Sequence, residues 1–162
     1  MNGKLRNMTS VYLTDDEGIL CLYRIGSRVA DHLYVGSAGG HFEAKELDNT
    51  KACILREMQE EIGLCEADLE DLVLRYVTLR LKNGEIRQNY YFFARIRSRI
   101  PLSSTEGSLR WFNYEEILDL EMPCTAKHMI RHYVKQGRFD LLLYAGIAET
   151  SGITFVPLCE FE

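Results

Sequence analysis

The chain has 162 residues, 46% of them hydrophobic and 27% charged, enough for one well-filled core and too few to expect two, so a single domain over 1–162 is the expectation. A formal charge of −5 argues against stable nucleic-acid binding, because a polyanion is repelled, while a small polyphosphate carrying its own metal remains acceptable. Five cysteines without a C-x-x-C spacing, a start at Met1-Asn2-Gly3-Lys4-Leu5-Arg6 that lacks an apolar segment, and no apolar run approaching about 18 residues point to a reducing, cytoplasmic setting with no membrane association.

Met8 to Leu13 and Ile19 to Tyr23 read as two short strands, joined into a hairpin by the turn composition Thr14-Asp15-Asp16-Glu17-Gly18. The second strand runs into Arg24-Ile25-Gly26-Ser27-Arg28. A guanidinium fork matches phosphate oxygens, which makes Arg24 a candidate substrate contact, although a solvated loop arginine is the commoner case. His32 to Glu43 mixes apolar residues with glycines, and the pair Gly39-Gly40 permits close backbone approach, as an ordinary turn also would.

Glu43 to Leu64 contains a helix-like run. At about 3.6 residues per turn, Ile54, Leu55, Met58 and Ile62 share one arc, and Glu57, Glu60 and Glu61 share the next. Three carboxylates at i, i+3 and i+4 repel one another and are eased by a positive partner. A hard divalent cation, which takes oxygen ligands, is one such partner, and a solvated acidic face explains the same spacing. Read together, Gly39, Gly40, Glu43, Glu46 and Arg56-Glu57-Met58-Gln59-Glu60-Glu61-Ile62-Gly63-Leu64 resemble the Nudix box of the Nudix (MutT-like) hydrolases. Two departures stand out. Lys45 occupies a position where glycine is usual, and nine residues rather than seven separate Glu46 from Arg56. The surplus falls in Leu47 to Ala52, where it lengthens a loop and leaves the acidic face intact.

Leu69 to Lys82 and Glu85 to Ile100 are long strand-like runs around Asn83-Gly84, a strong hairpin signal. A two-residue turn sets Lys82 opposite Glu85, Leu81 opposite Ile86, Arg80 opposite Arg87, Thr78 opposite Asn89 and Tyr76 opposite Tyr91. The face with Val73, Val77, Leu79, Leu81, Ile86, Tyr90, Phe92 and Ala94 is expected to be core. The other face pairs two arginines and offers Asn89 and Tyr91 to hydrogen-bond and stack on a base, so it is either a substrate wall or a solvated surface. Pro101 to Gly107 is a loop whose only acid is Glu106, followed by a short strand at Leu109 to Phe112. Tyr114 to Leu120 and Thr125 to Gln136 read as helices separated at Met122-Pro123-Cys124, with Gly137 stopping the second. His128 and His132, at i and i+4, lack a third ligand motif and read as a packed helix face. Phe139 to Ala148 and Ile153 to Phe161 form a last strand pair around Glu149-Thr150-Ser151-Gly152.

The resemblance implies an α/β chain with the Nudix fold, an α/β/α sandwich around a central mixed sheet. Its activity would be hydrolysis of a nucleoside diphosphate linked to another group, with Mg²⁺ as cofactor and Mn²⁺ as substitute. By the same resemblance, Gly40 (through its carbonyl), Glu57, Glu60 and Glu61 hold metal, Arg56 orients the acids, and Glu57 or Glu106 takes the proton. Arg24, Asn89, Tyr91 and Glu121 are the substrate-binding candidates, Glu121 because its counterpart lies beside the purine. Glu106 to Phe112 and Met122 to Lys127 extend the likeness over most of the chain. The substrate expected first is a small nucleotide, a triphosphate such as 8-oxo-dGTP. ADP-ribose and dinucleoside polyphosphates are the alternatives, and a nucleotide-binding regulator without turnover ranks below, since such proteins lose box acids. A homodimer is left open.

Overall fold

The computed structural model describes residues 3–28 and 30–160. In chain order its strands are β1 (Lys4–Thr14), β2 (Gly18–Arg24), β3 (Tyr34–Val35), β4 (Ala38–His41), β5 (Leu69–Lys82), β6 (Glu85–Ile96), β7 (Gly107–Asn113), β8 (Tyr144–Glu149) and β9 (Gly152–Pro157). The helices are α1 (Thr50–Ile62) and α2 (Cys124–Lys135). All nine strands join one sheet in the order β3-β2-β1-β6-β5-β8-β9, with β4 also on β1 and β7 on β2. The sheet is mixed, because β1 runs parallel to β6 and β5 parallel to β8 while the other pairs are antiparallel.

Each face of the sheet is covered by one helix. Ile54, Met58 and Ile62 of α1 pack on Val11, Leu13, Phe92 and Ala94. On the opposite face Ala126, Met129, Ile130 and Tyr133 of α2 pack on Tyr12, Tyr76, Tyr91 and Phe93. This is the expected α/β/α sandwich. Apolar side chains at helical spacing find a sheet whose alternate residues point both ways, so both helices bury a stripe.

Asn83 and Gly84 take φ of 53° and 73°, the left-handed pair a two-residue hairpin turn demands, and the register follows as expected, with Arg80 opposite Arg87, Thr78 opposite Asn89 and Tyr76 opposite Tyr91. The assignment of faces needs correction. A bulge between Leu74 and Tyr76 shifts the register at Arg75, so Val73 pairs with Phe93 and leaves the face it was assigned to. Leu79, Leu81 and Ile86 are exposed, because the 13-residue α1 lies over β1 and β4 and does not reach the outer half of the hairpin. Tyr76 and Tyr91, on the other face, are buried beneath α2.

Further differences have local causes. The strand expected to reach Ile100 stops at Ile96, and the helix expected at Tyr114 to Leu120 is one 3-10 turn, Glu116–Asp119. The strand expected from Phe139 begins only at Tyr144. Arg75, 5% exposed, reaches out of its bulge to the carbonyls of Gly137 (2.6 Å) and Leu142 (3.0 Å) and to Asp140 (3.0 Å), which holds the chain before β8 in an irregular path. Phe161, at the end of the last expected strand, lies outside the described residues, as do Met1 and Asn2. His132 is packed, its ring nitrogen 2.8 Å from the Tyr76 hydroxyl. Among the described residues no helix is long and apolar enough to cross a membrane.

Candidate functional site

The acid face is set by how α1 begins and by which side it buries. Asn49 caps the helix by accepting the Ala52 N–H at 3.0 Å, and Gly63 ends it with a φ of 73°. The two surplus residues are therefore spent in the loop before Asn49, and the helical spacing of Glu57, Glu60 and Glu61 survives. Burial of Ile54 and Met58 against the sheet turns Glu57 toward β4. The fit there is close: a Cβ on Gly40 would come within 2.5 Å of the Glu57 carboxyl carbon, so any other residue at this position would push that carboxylate aside. One turn on, Glu61 accepts the Gly39 N–H at 3.0 Å.

Arg56 ties this face together. Its Nε and Nη2 donate to Glu46 at 2.7 and 3.0 Å in a two-pronged pair, and Nη1 reaches Glu57 at 2.9 Å and Glu60 at 3.2 Å. Nη2 also donates to the His41 carbonyl at 3.1 Å. Glu46 is 3% exposed and accepts the Glu43 N–H at 2.9 Å. The hydrogen bonds from Arg56 hold its carboxyl far down, to about 2, although burial opposes them. The box glutamate ahead of the lengthened loop is thus the anchor of Arg56.

Burial pushes the Glu57 carboxyl up, outweighing the pull of Arg56. Glu61 is pushed up to about 7, first by burial and then by the charges of Glu57 and Glu106, against the Gly39 hydrogen bond and Arg24. Two half-dry carboxylates, one of them raised by the charge of the other, are a place where a cation is favoured. Among the described residues no three Asp, Glu, His or Cys side chains converge into a ready-made metal cage. Glu60 in particular is 59% exposed and turned to Arg56. The donors are all oxygen and only partly assembled, which fits a hard cation that keeps waters and is completed by substrate phosphates.

A cavity of about 310 Å³ opens beside this face, between the sheet and the start of α2. Gly39, Gly40 and Glu61 form one wall. Arg24 and Glu106 join them, 3.4 Å apart, because β2 pairs Arg24 with Gly107. Asn89 and Tyr91 line the sheet side, so this part of the hairpin face looks into the cavity. The structure does not bring Glu121 there. Its side chain is 78% exposed and lies 3.7 Å from Lys127, and the part of Glu121 held by the fold is its carbonyl, which accepts the Tyr34 N–H at 2.9 Å. The neighbouring Pro123 and Thr125 line the cavity instead.

Sequence reasoning missed Arg6 and His41, which also line it. Arg6 stands on β1 two residues before Met8, and the alternation of that strand was the available signal. A second cavity, about 290 Å³, lies at the other end of the sheet around Asp15, Arg75 and Arg138 and contains none of the box residues.

The family model for the NUDIX domain matches residues 4–133. No curated protein matches the chain. Among solved structures, the MutT protein from Bacillus halodurans is 20% identical with a TM-score of 0.66, covering 94% of this chain and 97% of its own. That from Methanosarcina mazei Go1 is 17% identical with a TM-score of 0.67, covering 84% and 97%. The NUDIX domain of Shewanella oneidensis NrtR, solved with ADP ribose, is 12% identical with a TM-score of 0.62, covering 86% and 90%. At these identities the likeness is one of fold.

Proposed function

Because the chain belongs to the NUDIX domain family, and is a Nudix hydrolase acting on pyrophosphate bonds, we propose that it hydrolyses a nucleoside diphosphate linked to a further group at the cavity between Gly39-Gly40, α1 and the hairpin. The observation that carries this reading is the packing of the Glu57 carboxylate against Gly40, next to Glu61, with Arg56 pinned behind them by Glu46. The continuous sheet supports treating 1–162 as one domain, and the unpaired cysteines support a reducing, cytoplasmic setting.

Glu57, Glu61 and the Gly40 carbonyl, with Glu60 turned in from Arg56, would hold Mg²⁺ or Mn²⁺. When bound, the cation supplies charge neutralisation at the phosphate oxygens. Arg24 donates to a phosphate oxygen, and Arg56 keeps Glu57 in place. Water attacks phosphorus in line, the bridging P–O bond breaks, and the proton of that water goes to a carboxylate oxygen of Glu57 or Glu106.

The resemblance puts 8-oxo-dGTP first among substrates, cleaved to monophosphate and pyrophosphate, with Asn89 and Tyr91 against the base. ADP-ribose and dinucleoside polyphosphates follow. A nucleotide-binding regulator without turnover is the second reading, supported only by the likeness in fold to a NUDIX domain solved with ADP ribose bound. A screen of 8-oxo-dGTP, ordinary dNTPs, ADP-ribose, dinucleoside polyphosphates and NADH with Mg²⁺, scored by kcat/KM, decides between them. At least one is expected to turn over. Binding without turnover of any would favour the regulator.

A further inference from the structure

Positive charge is concentrated where β1 and the hairpin meet, in a chain whose formal charge is −5. Lys4, Arg6 and Arg87 all approach one carboxylate, Glu85, at 3.8, 2.9 and 3.0 Å. Burial works to raise the Glu85 carboxyl, but the hydrogen bonds from Arg6 and Arg87 prevail and keep it below its ordinary value, so it stays charged and offsets one cation. Arg80 stands directly opposite Arg87, and among the described residues no acid pairs with it. Arg87 is in turn the strand partner of Arg6. Three guanidiniums thus sit side by side on neighbouring strands about 5 Å apart, and all three line the cavity. Like charges set opposite each other destabilise a sheet unless an anion lies between them.

The start of α2 faces the same space. Thr125 and Ala126 line the cavity, and Pro123, at the cap position of this 12-residue helix, gives no side-chain hydrogen bond, so the first turn keeps unpaired N–H groups and their partial positive charge. Arg6 lies four residues before Ser10, the strand partner of Gly39, which is about 13 Å along β1 from the acid end. His41 lies on the same cavity wall.

We propose that the Arg6, Arg80 and Arg87 end of the cavity is a second anion subsite, which binds a phosphoryl group at the end of the substrate remote from the diphosphate that is cut. The inference rests on the hydrolase reading and deepens it. A phosphate monoester brings about two charges and three acceptor oxygens, which suits three forks and a helix start. A neutral purine edge occupies one fork and brings no charge to the excess of cations that Glu85 leaves among the three guanidiniums. Substrates carrying a remote phosphate therefore rank above 8-oxo-dGTP.

Two matched pairs test this: coenzyme A against dephospho-coenzyme A, and NADPH against NADH, each differing by one phosphate monoester away from the diphosphate. The phosphorylated member of at least one pair is expected to have a kcat/KM about tenfold or more higher, and Arg80→Gln and Arg87→Gln are expected to bring that ratio toward one. Titration calorimetry of adenosine 3′,5′-bisphosphate against adenosine in chelator reads the subsite without turnover, and the bisphosphate should bind about tenfold or more tighter to wild type than to Arg80→Gln. Turnover with a ratio near one in both pairs, or a ratio the variants leave unchanged, overturns the subsite and spares the hydrolase reading. Arg80-dependent binding without turnover of any diphosphate keeps the subsite and removes the hydrolase reading. No Arg80-dependent binding in chelator overturns the subsite.

Discussion

One carboxylate, Glu46, determines whether Arg56 is fixed on the acid face. With both of its oxygens on Arg56 and 3% exposure, it is a charged group whose removal leaves a half-buried guanidinium short of a partner. Glu46→Gln is expected to cost about 2 kcal/mol of stability at neutral pH, read by urea denaturation. The sign with pH follows from the depressed carboxyl. Its ordinary value is 4.5 and its folded value about 2, so its contribution is fully present above 4.5 and is lost as pH falls through 2. The gap between wild type and Glu46→Gln should accordingly be widest above pH 4.5 and close toward pH 2, and a gap that does not change with pH would deny the pair. The run from Arg56 to Glu61 was readable because helical spacing fixes neighbours. The grip of Glu46 on Arg56 was not, since nine intervening residues of loop and helix conceal which side chains meet. Glu121 was misread for a related reason: sequence names a side chain, and here the fold uses the carbonyl.

Among elements, the β5–β6 hairpin was the most legible, and its faces departed from expectation only at Val73 and in the exposure of Leu79, Leu81 and Ile86. Asn83-Gly84 dictates pairing outward from the turn, and that pairing holds back to Tyr76 and Tyr91. Beyond it, the bulge at Arg75 reverses which residues face which helix, and a bulge in a strand of ordinary composition carries no periodic signal. Arg75 is a buried charge whose partners, Asp140 and the carbonyls of Gly137 and Leu142, come from more than 60 residues away. Arg75→Ala takes the guanidinium away from the Leu142 and Gly137 carbonyls and from Asp140, which keeps the Leu142 N–H and the Tyr144 hydroxyl, and frees the segment before β8, so a loss of about 3 kcal/mol is expected in chemical denaturation. A loss below about 1 kcal/mol would make the bulge an incidental feature.

At the scale of the molecule, the sandwich puts α1 and α2 on opposite faces of one sheet and leaves a cavity where β1, β4, the hairpin and the start of α2 meet. Its two ends have opposite character, carboxylates against the glycine pair and arginines on the strands. That division was only partly visible beforehand, because Arg6 reaches the hairpin through a parallel pairing of β1 and β6 that no local pattern announces. The central claim is that the carboxylates beside Gly40 cleave a diphosphate with a divalent cation. Its sharpest test is hydrolysis of the diphosphate bond of the best substrate from the screen, measured for wild type, Glu57→Gln and Glu61→Gln, each with Mg²⁺ and with excess chelator. Chelator is expected to abolish wild-type turnover, and each variant, still folded by circular dichroism, to lose about a hundredfold or more in kcat. Wild-type turnover undiminished in chelator, or folded variants as active as wild type, would contradict it.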